Sequence, residues 1–190
     1  VLDVFPREFV IDDQKGIKQP LGLTGIRLEA KVLLLCYFQS DFINLTQAVL
    51  NSKLQIDDII TSPLAAAEAV LTPQQKELGV ASIDLGAATT SLAVFEEGDL
   101  IHLAIFPIGS ANITNDIAIG LRTEIAVAES VKKQYGTCIF AKTNKKAEII
   151  DKVSDLSFTK KNLVDIIEPR VSEIFDLIQK ELKKIGRQEL

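Results

Sequence analysis

The sequence predicts an α/β chain whose front part is an α+β module, and three observations lead there. Residues 1 to about 61 read as strand, strand, helix, strand. From Val80 the apolar residues recur with a period of two, and the chain closes on a long helix with one apolar stripe.

The first strands are "VLDVFPREFVID" and "IRLEAKVLLLCYF", rich in β-branched and aromatic residues, with the glycine-containing connector "GIKQPLGLTG" between them. "SDFINLTQAVLNSK" predicts a helix with Ser40 or Asp41 as its N-cap and Phe42, Leu45, Val49 and Leu50 on one face. "IDDIIT" reads as a further strand. In "SPLAAAEAVL", Ser62 is the expected cap and Pro63 falls in the first turn, where a missing amide donor costs nothing. "TPQQKELG" adds a short helical turn that ends at Gly79.

After Gly79 come "VASIDL", "TSLAVFE" and "LIHLAIFPI", joined by a small-residue turn and by "EGD". Connections this short make only hairpins, so residues 80 to 107 should form three antiparallel strands. "NITNDIAIGLR" and "TEIAVAESVKKQYG" predict two helices, the second capped by Thr123 and ended by Gly136. The mixed, lysine-rich "CIFAKTNKKAEIIDKVSDLSF" reads as strand and loop, with Lys142, Lys145 and Lys146 on a solvated face. In the last helix Leu163, Ile166, Ile167, Val171, Ile174, Phe175, Ile178, Leu182 and Ile185 make the stripe. Pro169 should kink or divide it, because an interior proline loses a donor and clashes with the preceding turn.

Composition narrows the function. Twenty-one basic and 26 acidic residues give a net charge of -5 without a basic block, so the footprint of a nucleic-acid binder is missing. The longest apolar run, "VLLLCYF", is far short of the ~20 residues a membrane-spanning helix needs, and no signal-peptide pattern opens the chain. A cytoplasmic location is expected. Cys36 and Cys138 have no metal-ligand spacing and read as buried thiols. His102 has no serine, cysteine or aspartate in triad-like context, and no general base stands out. With no methionine, a strand opening at Val1 and a helix ending near Leu190, both ends read as cuts in a longer chain.

The turn "DLGAATTS" supports two readings. Small residues suit a tight hairpin on steric grounds alone. They also leave backbone amides free to converge on phosphate oxygens, with Asp84 placed to hold a water of Mg²⁺ and Thr89 to add a hydroxyl.

The stretch from "ELGVASIDLGAATTSLAVF" through "FPIGSANITNDIAIGLRTEIAVAESVKKQYG" resembles the second phosphate-binding hairpin and following helices of the actin-like ATPases. Within that class it is most similar to the bacterial cell-division FtsA family. "FPREFVIDDQKGIKQPLGLTGIRLEAKV" resembles that family's inserted subdomain, called 1C, and "IIEPRVSEIFDLIQKEL" its late helix. The likeness covers nearly the whole chain in the same order. It implies an actin-like, ribonuclease H-like ATPase fold, with residues 1–78 as the 1C subdomain and connecting helix and 79–190 as part of the second actin-like domain.

The resemblance also implies a site and partners. ATP with Mg²⁺ would lie against Asp84, Gly86, Ala87, Ala88, Thr89 and Gly109, with Glu129, Lys132 and Lys133 toward the ribose and base. Asp84 would reach the metal through water. Ala87 and Ala88 stand where the family usually has glycine, Ser91 where it has an acid, and Ser110 where a second glycine follows Gly109. An alanine forced into the left-handed region would cost about 1 to 2 kcal/mol. Implied partners are a second copy through residues 1–78, other division proteins, and the C-terminal tail of FtsZ on a surface with Lys160, Lys161 and Arg170. Attachment to the inner face of the plasma membrane at the division site would use a helix outside this chain. Hydrolysis would be slow or absent. A pilus-assembly adaptor of the PilM type, a sugar kinase and a non-hydrolysing actin-fold interaction protein are the alternatives.

Overall fold

The computed structural model describes residues 1–138, 148–151 and 156–189. The elements run β1 (Asp3–Ile11), β2 (Gln14–Ile17), β3 (Leu28–Leu35), α1 (Gln39–Asn51), α2 (Ser62–Val70), α3 (Pro73–Leu78), β4 (Val80–Leu85), β5 (Thr90–Glu96) and β6 (Asp99–Phe106). α4 (Ser110–Leu121), α5 (Ile125–Tyr135), β7 (Glu148–Asp151), β8 (Leu156–Thr159) and α6 (Lys160–Lys184) complete them. Two compact units emerge, one of Val1–Ser82 with Ala93–Leu103, the other of Ile83–Leu92 with Ala104–Glu189.

The first unit holds an antiparallel sheet ordered β2-β1-β3. Its register shifts between Pro6 and Glu8, as expected where proline removes a ladder donor. Asp12, at φ 53°, turns β1 into β2, and its Oδ1 accepts the amides of Ile26 at 3.0 Å and Arg27 at 2.9 Å. The core gathers Leu64, Ala67, Ala93, Phe95 and Leu100, with Phe5 and Leu33 packed on it. Ala67 is fully buried, which is why α2 needs small side chains. Thr72 and Gln75 cap α3 reciprocally, and Glu97 and Gly98 form the two-residue β5–β6 turn with both φ positive, at 52° and 82°.

Strands β4, β5 and β6 form one sheet in that order, joined by links of four and two residues that allow only antiparallel pairing. The second unit packs α4, α5 and α6 around Ile113, Ile117, Ala128, Val131, Phe158, Leu163 and Ile167. Here the 3.6-residue spacing is satisfied within the unit.

Several expectations change. "IDDIIT" forms no strand, because its apolar residues do not alternate strictly and no neighbour supplies a ladder. α1 starts after Phe38 without a side-chain cap, leaving Ser40 and Asp41 inside its first turn. Thr61 rather than Ser62 precedes α2, and Glu124 rather than Thr123 precedes α5. Both cysteines are exposed. α6 runs unbroken through Pro169: Leu163, Val164 and Ile167 are buried before it and Ile174, Ile178 and Leu182 after it. At about 1.5 to 3 kcal/mol per buried side chain, that packing outweighs the ~3 kcal/mol cost of the proline. Phe175, 55% exposed, does not belong to the buried stripe. Lys142, Lys145 and Lys146 lie outside the described residues.

Candidate functional site

The hairpin that links β4 to β5 is closed by the Gly86 amide donating to the Thr89 carbonyl at 2.9 Å. A Cβ on Gly86 would meet that carbonyl oxygen at 2.9 Å, so the turn has no room for a side chain there. Its own carbonyls turn outward: Gly86 O accepts the Ser110 amide and Ala87 O the Ala111 amide, each at 2.9 Å. Two orphan donors of the α4 N-terminus are thus satisfied by the hairpin. Gly109 explains the closeness, since a Cβ there would lie 2.5 Å from Ala87 O and 2.6 Å from Gly86 O. Asn112 completes the helix start by accepting the Gly109 amide at 3.0 Å.

Ala87 and Ala88 lie outside the left-handed region, so replacing glycine carries no strain at either position. Ser110 is likewise suited to the first helical position. Asp84 is half-buried at the end of β4, Thr89 is exposed, and Ser91 is buried inside β5. Because the Gly86 amide closes the turn and those of Ser110 and Ala111 bind the hairpin, a ligand at this turn would meet the amides of Ala87 to Thr89. The donor set of loop amides, a hydroxyl and one half-buried carboxylate suits a phosphate–Mg²⁺ group, which takes carboxylate, water and phosphate oxygens.

A second cluster begins on the other side of Ser110. Lys132 Nζ donates to Ser110 O at 3.1 Å, to Thr114 Oγ1 at 2.8 Å and to Glu129 Oε2 at 2.7 Å. Thr114 Oγ1 donates to the same Glu129 Oε2 at 2.5 Å. The Lys132 ammonium, helped by the Thr114 hydroxyl, holds the Glu129 carboxyl down at about 2. Lys133 reaches Glu129 Oε1 at 3.3 Å and is otherwise exposed. Ser110 therefore bridges the hairpin residues and the Glu129–Lys132 pair, which are far apart in sequence.

Sequence reasoning missed Thr114. Its position four residues after Ser110, on the α4 face that turns to α5, was the available signal. It also missed Asp116, whose carboxylate takes Arg170 Nε at 2.6 Å and Nη2 at 3.0 Å, while Arg170 Nη1 reaches Glu173 at 2.5 Å. Arg170 is thus a half-buried brace between α4 and α6, not the exposed base its sequence suggested. Lys160 is half-buried, and Lys161 is exposed with Asp165 4.0 Å away. The described residues contain no cluster of His, Cys, Asp and Glu fit to hold a metal by itself, and no helix long and apolar enough to cross a membrane.

Likeness to solved structures gives the fold. The chain superimposes on a chain of the PilM-PilN type IV pilus biogenesis complex with TM-score 0.69 and 17% identity, over 99% of this chain and 46% of that one. MreB5 of Spiroplasma citri bound to ADP matches at TM-score 0.63 and 21% identity, over 77% of this chain and 48% of that one. The fold is that of the actin-like ATPases.

Sequence comparison gives the family. A family model described as "Cell division protein FtsA" matches residues 81–184, and one described as "SHS2 domain inserted in FTSA" matches residues 1–36. Cell division protein FtsA of Pseudomonas aeruginosa is 40% identical over 100% of this chain and 46% of its own length. FtsA of Bacillus subtilis is 37% identical over 98% and 43%, and that of Escherichia coli K12 35% identical over 97% and 45%. The chain belongs to the FtsA family of cell division proteins. It spans a little under half the length of these relatives.

Proposed function

We propose that this chain forms part of an ATP-binding, actin-like adaptor that polymerises and tethers FtsZ to the cytoplasmic membrane at the division site. The observation that carries this reading is the joint between hairpin and helix: Gly109 lets the β4–β5 carbonyls bind the α4 amides, in a turn flanked by half-buried Asp84 and exposed Thr89. Its order beside the inserted subdomain agrees with the family matches.

In this reading the amides of Ala87, Ala88 and Thr89 hold phosphate oxygens, with Gly86 and Gly109 giving the close backbone approach. Asp84 orients a water on Mg²⁺, and Glu129, Lys132 and Lys133 face the ribose and base. When bound, Mg²⁺ supplies charge neutralisation between the phosphates. The described residues contribute positioning, and in this reading hydrolysis is slow or absent. Residues 1–78 serve as the inserted subdomain and contact a second copy, while 79–190 supply the phosphate hairpin and the FtsZ-tail surface. In the complete protein, other division proteins are further partners and a separate helix attaches the assembly to the membrane.

Titrating ATP–Mg²⁺ into the complete protein and into its Asp84→Ala variant by calorimetry tests the nucleotide reading. Affinity should drop at least tenfold in the variant; equal affinity would refute the assignment of Asp84. For the tail, a labelled FtsZ C-terminal peptide should bind the complete protein at the order of micromolar, since a disordered segment must order on docking. Arg170 can reach such a peptide by releasing Glu173 while keeping Asp116, so Arg170→Glu should weaken binding. No saturable binding would remove the tethering role.

A further inference from the structure

Thr114 is a residue to which neither sequence nor family likeness gives a role, and its surroundings are unusual. It is 3% exposed, one of few polar side chains buried among the described residues. An i, i+3 acid–base pair such as Glu129 and Lys132 on a helix is ordinarily loose, stabilising by only a few tenths of a kcal/mol. Here the pair is fixed from a second helix. All three protons of the Lys132 ammonium are taken, by Glu129 Oε2, Thr114 Oγ1 and Ser110 O. The Thr114 hydroxyl has two acceptors in reach, Ser110 O at 3.2 Å and Glu129 Oε2 at 2.5 Å, and its single proton goes to the nearer, charged oxygen. That leaves Oε1, which among the described residues meets exposed Lys133 at 3.3 Å, as the acceptor with capacity to spare.

We propose that Thr114 is a positioning residue of the nucleotide site: its buried hydroxyl locks Lys132 and one oxygen of Glu129 together so that the other oxygen is presented to a hydroxyl-bearing sugar. Lys132 acts as the brace. Through Ser110, whose carbonyl takes Lys132 and whose amide binds Gly86 O, the lock is tied to the phosphate hairpin. The proposal rests on the nucleotide reading given above and adds to it a division of labour within the pair.

The test uses the complete protein with Thr114→Val, which keeps the side-chain shape without the hydroxyl, and Thr114→Ser, which keeps the hydroxyl. Calorimetric affinity for ATP–Mg²⁺ should fall about tenfold in Thr114→Val and stay within twofold in Thr114→Ser. Affinity for inorganic tripolyphosphate, which has no sugar, should not change in either. Should Thr114→Val fail to fold, Thr114→Ala carries the same expectations. In parallel, the Glu129 carboxyl of labelled protein is titrated by NMR without nucleotide. It should move up from about 2 toward the ordinary range in Thr114→Val and return in Thr114→Ser. Unchanged ATP affinity and an unmoved titration in the valine variant overturn the proposal. Equal loss of ATP and tripolyphosphate also overturns it, by making Thr114 a general structural residue. If the unaltered protein binds no ATP, the nucleotide reading falls; the titration then still decides whether Thr114 holds the carboxylate.

Discussion

The two helical regions of this chain satisfy their apolar residues in opposite ways. In the second unit α4, α5 and α6 close on one another, and Ile117, Val131 and Leu163 have no exposure at all. α1 of the first unit has a comparable apolar face but buries none of its residues, and Leu45 is 65% exposed. Periodicity alone would rank the two alike. The difference teaches that a 3.6-residue pattern states what a helix is able to bury, while the partner supplied by the fold sets what it does bury.

The largest expected effect sharpens that contrast. Leu163→Ala should cost about 2 to 5 kcal/mol in urea denaturation, since it opens a cavity in a closed core. Leu45→Ala should stay within about 0.5 kcal/mol in the same chain. Similar losses at both positions would mean that α1 is packed as tightly as α6.

Next comes Gly109→Ala. Because its Cβ would press on two backbone oxygens rather than on a movable side chain, we expect about 1 to 3 kcal/mol of destabilisation. Gly16→Ala, at φ 77° with open space around it, should show only the conformational cost of about 1 kcal/mol. Thermal melts of the two variants separate packing from backbone strain.

Smaller still is the acid response of the second unit. Glu129 has its carboxyl lowered to about 2 by Lys132 and Thr114, so the folded state holds fewer protons than the unfolded chain between about pH 2 and 4.5. Its contribution is therefore present above about pH 4.5 and is lost as pH falls through about 2. With the side chain 35% exposed, screening reduces it to about 1 kcal/mol. Glu129→Gln should remove that amount at pH 7 and flatten the acid limb of a stability–pH profile. An unchanged limb would show that the carboxylate is not held.

The least effect is expected in the first unit at Lys18, which meets Glu97 at 2.9 Å and Asp99 at 3.0 Å with all three side chains well exposed. Lys18→Ala should leave the urea midpoint essentially where it is, at low salt and at 1 M salt alike, because exposed pairs are screened by water and ions.

Much of the fold was legible along the chain. The period-two run from Val80 gave β4, β5 and β6, and "TPQQKEL" gave a capped α3, because backbone geometry imposes these patterns on neighbouring residues. "IDDIIT" was misread because strand formation needs a partner that local sequence does not supply. Pro169 was given too much weight because its penalty is local while the packing that offsets it lies on other elements.

At the site, the sequence by itself determined the residue types: small residues in the hairpin, a glycine before α4, an acid and a base three apart on α5. Together with the order of the motifs, these also determined the family. Tertiary structure decided how they are used. Only it showed that Ala87 and Ala88 are unstrained, that Ser110 joins the hairpin to Lys132, and that Thr114 sits on Glu129. Only it paired Arg170 with Asp116 across 54 residues of sequence. The reason is range: torsional and periodic preferences act over a few residues, whereas hydrogen bonds and ion pairs form between whichever groups the packed helices bring within about 3 Å.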